Sequence, residues 1–521
     1  MKNICNIVNF VRGVEPRPDR NVDLVGTTRE EISYMRKNGL RGTYLLQYDA
    51  LTNPDFIALF DDTHDIELGV WFETVKEQVE AVGEKWRGRY SWDWHNDVGF
   101  LIGYEPSVRE KLIDEHMDKF REIFGYYPKS IGSWHIDAHS LEYISKKYEI
   151  DACCICRDQV GVDGYTMQGG YYNGAYYPTK NNMFCPDNTG AQINIPVFRM
   201  LGSDVIYAYD YQVKKDEYGV SRIPTLECAS PEYGGQKWWV DGFFNTTFCG
   251  HGISHQYTQA GQENSFGWER RIKNGYIYQM GRIKELADSG KIEVMTLGEA
   301  GRWYKDNFDT TPPQAITAMS DSINGRYKSV WYCSKYYRVN LFWDEGRVHI
   351  RDAYVFNNEL KEHYLASACK TTACEFRNCP VIDGTLYGKN AGMYFGDIIF
   401  DSIEYEERGN CAVVTLKSSQ GSCTAELCER AVHIRSDIKG FELKPFYDKS
   451  LVFGKPDNST ELYCSRNNAE TVISSITSVN RDGKKVTFEF CGKTYSVTVE
   501  SGEVKDDLTL VPNDGNLSIH F

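Results

Sequence analysis

Ser130-Ile-Gly-Ser-Trp-His-Ile-Asp-Ala-His-Ser-Leu-Glu142 puts two histidines, a tryptophan and a carboxylate at the junction of two structural elements. Ile131, Gly132 and Ser133 read as the end of a short buried strand that follows the turn Tyr126-Tyr127-Pro128-Lys129. Ser140 to Tyr148 has helical apolar spacing at Leu141, Ile144 and Tyr148. Trp134, His135, Asp137 and His139 therefore stand at the carboxyl end of a strand. In α/β proteins ligands bind at that rim, because the loops of successive strands converge there.

Outward from this stretch, strand-like and helix-like segments alternate, the pattern of a parallel sheet covered by helices. Upstream strands are predicted at Ile4 to Val11, Gly42 to Gln47 and Glu67 to Val70, and downstream ones at Asp151 to Cys156, Val205 to Tyr209 and Lys291 to Thr296. Helices are predicted from a Thr27/Thr28 cap to Asn38, from Pro54 to Phe60, from Ser107 to Phe124 with a Ser107/Glu110 capping box, and from Trp268 to Ser289. The first three strands lead into Arg12-Gly-Val-Glu-Pro-Arg17, Gln47-Tyr48-Asp49 and Trp71-Phe72-Glu73. Successive strands that each deliver a reactive side chain point to one shared pocket. Trp86-Arg-Gly-Arg-Tyr-Ser-Trp-Asp-Trp-His95 is either a wall over that rim or a hydrophobic cluster under a long loop. His251 and His255 have the spacing of helical metal ligands, but Gly250 and Gly252 oppose a helix there.

Thr310-Thr-Pro-Pro313 reads as a domain boundary. Beyond it, alternating segments such as Arg338-Val-Asn-Leu-Phe-Trp343 are separated by turns such as Asp344-Glu-Gly346. The expected fold class is α/β plus all-β: a parallel sheet covered by helices over 1–312 and a β-sandwich over 313–521.

The 521 residues carry a net charge of −15, which argues against nucleic acid or an anionic membrane surface as partner. No apolar run approaches the roughly 20 residues of a membrane span, and Met1 to Cys5 lead straight into a strand rather than a signal peptide, so a cytoplasmic location is expected. The 16 cysteines are scattered, often within strands, and are expected to be reduced and buried. Tyr, Phe and Trp number 35, 25 and 11. Aromatic faces of this abundance suit either core packing or stacking on sugar rings. A homo-oligomer is left open.

Trp134-His-Ile-Asp-Ala-His-Ser140 is similar to the Trp-x-Ile-Asp-Pro-Phe-Gly-His-Ser motif of family 38 α-mannosidases, with Ala138 in place of three residues. Gln47-Tyr-Asp49 resembles the early His-x-Asp metal motif of that family, with glutamine in the histidine position. Glu67 to Glu73 resembles the strand before the His-x-x-x-His motif of polysaccharide deacetylases, with Trp71 and Val75 at the histidine positions. Together these motifs resemble the (β/α)7-barrel superfamily of polysaccharide deacetylases and glycoside hydrolase families 38 and 57. The resemblance implies that 1–312 form a (β/α) barrel-type catalytic domain, of an enzyme acting on a glycoside or oligosaccharide. Family 57 works without a metal, which makes no cofactor the first expectation; zinc belongs to the deacetylase alternative.

Glycosidic cleavage needs one carboxylate to attack or activate water and one acid to protonate the leaving oxygen. Asp137 is the expected nucleophile or base and Glu73 the expected acid, with Asp49 and Glu263 as rivals. Trp71 and Trp134 are expected to stack on the sugar, and Arg12, His135, His139 and His255 to orient its hydroxyls. In the deacetylase alternative, Asp49, Asp137 and His251 or His255 converge on one metal. A third alternative is a sugar-binding protein without catalysis.

Overall fold

The computed structural model describes the chain apart from residues 17–19, 159–168, 210–223, 249, 385–389, 447–460, 465–469, 474, 475 and 491. Arg17 thus lies outside the described residues. The first half is built on eight parallel strands: β1 (Lys2–Val11), β2 (Gly42–Leu46), β3 (Ile66–Trp71), β4 (Ser130–Gly132), β5 (Ala152–Cys156), β6 (Val197–Met200), β7 (His255–Ala260) and β8 (Glu293–Met295). Their order is β7-β1-β2-β3-β4-β5-β6, with β8 also paired to β1. β1 pairs along one edge with β7 (Lys2 to Ile7), while its other edge passes from β8 (Ile4 to Asn6) to β2 (Val8 to Val11). That exchange curls the sheet. A ninth strand, Ala175–Tyr176, pairs antiparallel with β6 beyond the parallel set; β6 and β7 are not paired with each other among the described residues, but Phe198 and Tyr257 bring their rings to 5.0 Å. The structure is a curled sheet whose outermost parallel strands meet through side chains.

Strands β2 and β5 are buried at every position, as expected of parallel strands covered on both faces. Two polar residues of β1, Asn6 and Asn9, are buried with their amides in use. Asn6 Nδ2 donates to the Met295 carbonyl at 2.8 Å, and Asn9 Oδ1 accepts from the Gln262 amide at 3.1 Å. They stitch β1 to the two segments that return to it latest in the chain.

Six longer helices cover the sheet: α1 (Leu24–Lys37), α2 (Pro106–Phe124), α3 (Ala138–Lys147), α4 (Lys237–Phe248), α5 (Lys273–Asp288) and α6 (Leu297–Asn307). Two starts differ from the sequence reading. Asp23 caps α1, accepting from the Gly26 amide, while Thr27 and Thr28 sit inside the first turns with hydroxyls on the carbonyls of Asp23 and Leu24. α2 begins with Pro106 and has no side-chain cap; proline removes one of the amides that a cap would serve. The sixth strand is Val197–Met200, not Val205 to Tyr209. There Asp204 Oδ1 accepts from the amides of Ile206 and Tyr207, at 3.0 and 2.7 Å, which bends the backbone into a turn.

Among the described residues, the named elements of the second half are strands. One sheet contains Gln314–Ala318, Tyr327–Cys333, Tyr337–Asp344, Arg347–Val355, Gly392–Phe395 and Leu443–Phe446. The other is an eight-stranded antiparallel sheet running from Ser402–Arg408 to Asn516–His520. Val339, Leu341 and Ile350 of the first share a core with Val414, Leu427 and Ile434 of the second. The core of the α/β half in turn takes in Trp331, Phe356, Tyr364 and Cys374 from the β half. One cysteine pair departs from the expected reduced state. The register that sets Ala412 against Leu427 puts Cys411 opposite Cys428, and the two form a disulfide. Cys5, Cys153, Cys154, Cys185, Cys228, Cys333 and Cys423 are buried thiols.

Candidate active site

Four neighbouring strands each end in a charged residue, in the sheet order Glu263 after β7, Arg12 after β1, Asp49 after β2 and Glu73 after β3. Parallel alignment brings these ends to one rim. Arg12 holds the group together. Its Nε and Nη2 donate to the two oxygens of Glu73 at 2.8 and 2.6 Å, and its Nη1 donates to Glu263 Oε1 at 2.7 Å and Ser265 Oγ at 2.9 Å. The guanidinium lies 4.0 Å from the ring centre of Trp92. Asn264 fixes the Arg12 backbone, accepting from its amide and donating to its carbonyl, each at 3.0 Å.

Glu73 also accepts from Gln47 Nε2 at 3.1 Å and from Trp134 Nε1 at 2.6 Å. Each of its oxygens thus receives two N–H donors. That leaves no lone pair to carry a proton, and the expected role of Glu73 as acid does not fit. Glu263 is less committed: Arg12 and Ser265 both reach Oε1, and no described residue bonds Oε2. Asp49 differs again. Its Oδ1 accepts from the Gly13 amide at 3.0 Å, and its Oδ2 is buried with no hydrogen-bond partner. Burial pushes its carboxyl up to about 7, against the pull of the Gly13 N–H, and the charges of Glu73 and Glu77 add to the rise.

The aromatic residues are present but covered. Trp71 stacks on Phe10 at 4.1 Å and meets Trp134 edge-on at 5.8 Å; both tryptophans are buried. The 86–95 segment forms a wall: the amide of Lys76 donates to the Ser91 carbonyl at 2.8 Å, and Trp92 closes over Arg12. Glu73 is 0% exposed.

The stretch at 130–142 sits beside the cluster with its histidines and aspartate turned elsewhere. Asp137 caps α3, its Oδ1 accepting from the Ser140 amide at 2.9 Å and from Arg109 Nη1 at 2.8 Å, and its Oδ2 from the Ser140 hydroxyl at 2.6 Å. Its carboxylate neighbour is Glu362, which accepts from the amides of Ala138 and Met183 at 2.7 and 2.9 Å. His135 bonds Asn96 at 3.0 Å, packs on Phe100 and is pushed down to about 3 by burial, so it is neutral. His139 pairs with Glu110 at 3.1 Å on the neighbouring helix. His255 opens β7 opposite Lys2, at the amino end of the sheet. At roughly 3.3 Å per residue, the chain from there to Glu263 at the rim spans at most about 26 Å, and His255 packs instead on Trp303, Tyr304 and Phe308.

The metal donors of the deacetylase alternative therefore do not meet. Asp49 is at the rim, Asp137 on Arg109 and His255 at the far end, while His251 lies against Tyr405. Among the described residues no group of three or more His, Cys, Asp or Glu is arranged to hold a metal. Arg109 and Glu362 escaped sequence reading. Arg109 is one cation inside an amphipathic helix, and Glu362 arrives from the β half with no local motif around it.

No protein-family model matches the sequence, and no curated protein matches it. Solved structures do. A glycoside hydrolase/deacetylase candidate from Parabacteroides distasonis aligns at TM-score 0.51 and 14% identity, over 73% of this chain and 89% of that one. A candidate polysaccharide deacetylase from Pseudomonas aeruginosa aligns at TM-score 0.37 and 11% identity, covering 58% and 91%. A family 57-type branching enzyme from Pyrococcus horikoshii gives 0.32 and 11%, covering 60% and 71%. The first of these shares the fold of this chain.

Proposed function

We propose that the protein is a carbohydrate-active enzyme, a glycoside hydrolase whose rim carboxylates act on a neutral sugar. The observation that carries this reading is the alignment of Glu263, Arg12, Asp49 and Glu73 on four neighbouring strand ends, with Asp49 near neutrality and Glu263 Oε2 open. Asp49 is the acid: a carboxyl that keeps its proton to about pH 7 and has an unbonded oxygen can donate to a leaving glycosidic oxygen. Glu263 supplies the lone pair, to the anomeric carbon or to the water that attacks it. Glu73, saturated with donors, positions Arg12. The fold shared with the Parabacteroides distasonis glycoside hydrolase/deacetylase candidate supports the substrate class. The barrel-type catalytic unit over 1–312 and the sandwich that buttresses it belong to the same proposal.

Mass spectrometry of a glycan panel incubated with the protein tests it. Cleavage of a glycosidic bond, lost in both Asp49→Asn and Glu263→Gln while thermal melts stay cooperative, is the expected result. Release of acetate without chain cleavage would replace the hydrolase with a deacetylase, and retention of a glycan with no bond broken would replace it with a binding protein.

A further inference from the structure

A second cavity lies in the β half, on the outer face of the sheet containing Arg347–Val355. Strand alternation builds it. Val348 and Ile350 point into the core shared by the two sheets, so Arg347, His349 and Arg351 point the other way. Their cross-strand neighbours complete the surface: His349 lies between Phe342 and Tyr394 in the register, and Arg347 opposite Asp344. The cavity encloses about 710 Å³, within the range of small-molecule sites, and no rim residue lines it.

Two features of its lining point to a ligand. The first is an aromatic corner. Tyr394 stacks on His349 at 4.4 Å, and Phe446 stands at 89° to Tyr394 with centroids 6.2 Å apart. Phe446 is 58% exposed, and Ile399 on the same cavity is 52% exposed. Large apolar side chains left this open usually mark a binding surface. The second is charge. Among the described residues that line the cavity, Arg326, Arg347, Arg351 and Lys444 face Asp344 and Asp397, while Glu345 and Glu442 also pair with Arg326 and Lys444, in a chain of net charge −15. Lys444 is paired with Asp397 at 2.8 Å and Arg326 with Asp344 at 2.6 Å. Arg351 forms the floor, 3.8 Å from the Phe342 ring centre. Arg347 is exposed and makes no ion pair among the described residues. An exposed arginine that makes no ion pair among the described residues, on the same cavity as an exposed ring, suits a ligand with an apolar face and a carboxylate.

We propose that this cavity binds an acidic saccharide, with a uronate carboxylate on Arg347 and the sugar face on Phe446. The choice of a saccharide rests on the hydrolase reading; the choice of an anion rests on the cavity alone. A uronate offers both contacts at once, since its ring C–H face stacks on an aromatic while its carboxylate accepts two parallel guanidinium hydrogen bonds.

Isothermal titration calorimetry of the full chain with trigalacturonate and with maltotriose tests the proposal without reference to any bond cleavage. Trigalacturonate should bind, maltotriose should not, and binding should weaken as salt is raised. Arg347→Ala and Phe446→Ala, both at exposed positions and expected to leave the thermal melt unchanged, should each weaken binding about tenfold. Equal binding of the two sugars, no binding of either, or binding untouched by both substitutions would overturn it. Because rim variants such as Asp49→Asn leave this cavity intact, loss of hydrolysis and loss of binding here can be told apart.

Discussion

Arg12 grips Glu73 through two nitrogens at 2.8 and 2.6 Å, with the arginine 3% exposed and the glutamate not exposed at all. A buried pair with this geometry is hard to break from one side. Arg12→Met should lower unfolding free energy by about 3–5 kcal/mol, because Glu73 and Glu263 both lose their cation inside the protein. Arg12→Lys should recover only part of this, since an ammonium cannot present the planar fork to Glu73. Urea denaturation of the three proteins checks the order.

Asp49 gives the pH dependence its sign. Its carboxyl ionises near 7 in the folded protein and near its ordinary 3.8 when unfolded, so between those values the native state binds more protons. The contribution of Asp49 to stability therefore falls as pH rises from about 4 to 7 and is flat above. The gap corresponds to roughly 4 kcal/mol. In Asp49→Asn that fall is absent, so the stability of the variant relative to the parent should rise across this window and then level. Denaturation midpoints at several pH values measure it. In the parent, hydrolysis should fall as pH passes 7, because Asp49 then loses the proton it donates.

The curl of the sheet was legible because buried parallel strands write themselves as short apolar runs, and five of them fell within a few residues of their observed bounds. The rim was legible for a related reason: Arg12, Asp49, Glu73 and Glu263 each follow a strand or return beside one. Partnership was not legible. Nothing local distinguishes Asp137, committed to a helix cap and Arg109, from Glu263, whose second oxygen is open. The strand at His255–Ala260 was hidden because His-Gln-Tyr-Thr-Gln-Ala is largely polar, its buried Gln259 donating to the carbonyls of Val8 and Ala260. Likewise His251 and His255 match a ligand spacing only as a string; the strand that starts at His255 sends the two apart.

Asp137 should behave as a structural residue. Its carboxylate is the only ion-pair partner given to the buried Arg109 among the described residues, and it caps α3. Asp137→Asn keeps an oxygen for the Ser140 amide but leaves Arg109 without a counterion, so stability should fall by about 2–4 kcal/mol. Asp137→Ala should fall further. If hydrolytic activity per folded molecule survives in Asp137→Asn, measured by active fraction after correcting for the unfolded population, the carboxylate acts through the fold. Loss of activity in a variant of unchanged stability would return Asp137 to the chemistry.

Glu362 makes the strongest case for a link between the two halves of the chain. It comes from the β half, yet its oxygens receive the amides of Ala138, at the start of α3, and of Met183. Burial first, and then the charge of Asp137, push its carboxyl up to about 8. The sign follows as for Asp49, over a different window: the native state holds the extra proton from about 4.5 to 8, so the contribution of Glu362 to stability declines across that range. Glu362→Gln removes the titration but turns an amide N–H₂ toward one of the two backbone donors, which should cost about 1–3 kcal/mol near pH 5. The variant should therefore start below the parent at pH 5 and close the gap by pH 9. Hydrogen exchange at Ala138 and Met183 provides the local check: both amides should exchange faster in the parent as pH rises through 8, beyond the intrinsic base-catalysed increase, and the excess should be missing in Glu362→Gln. Parallel stability curves for the two proteins from pH 5 to 9 would show that Glu362 carries no proton into the contact between the halves.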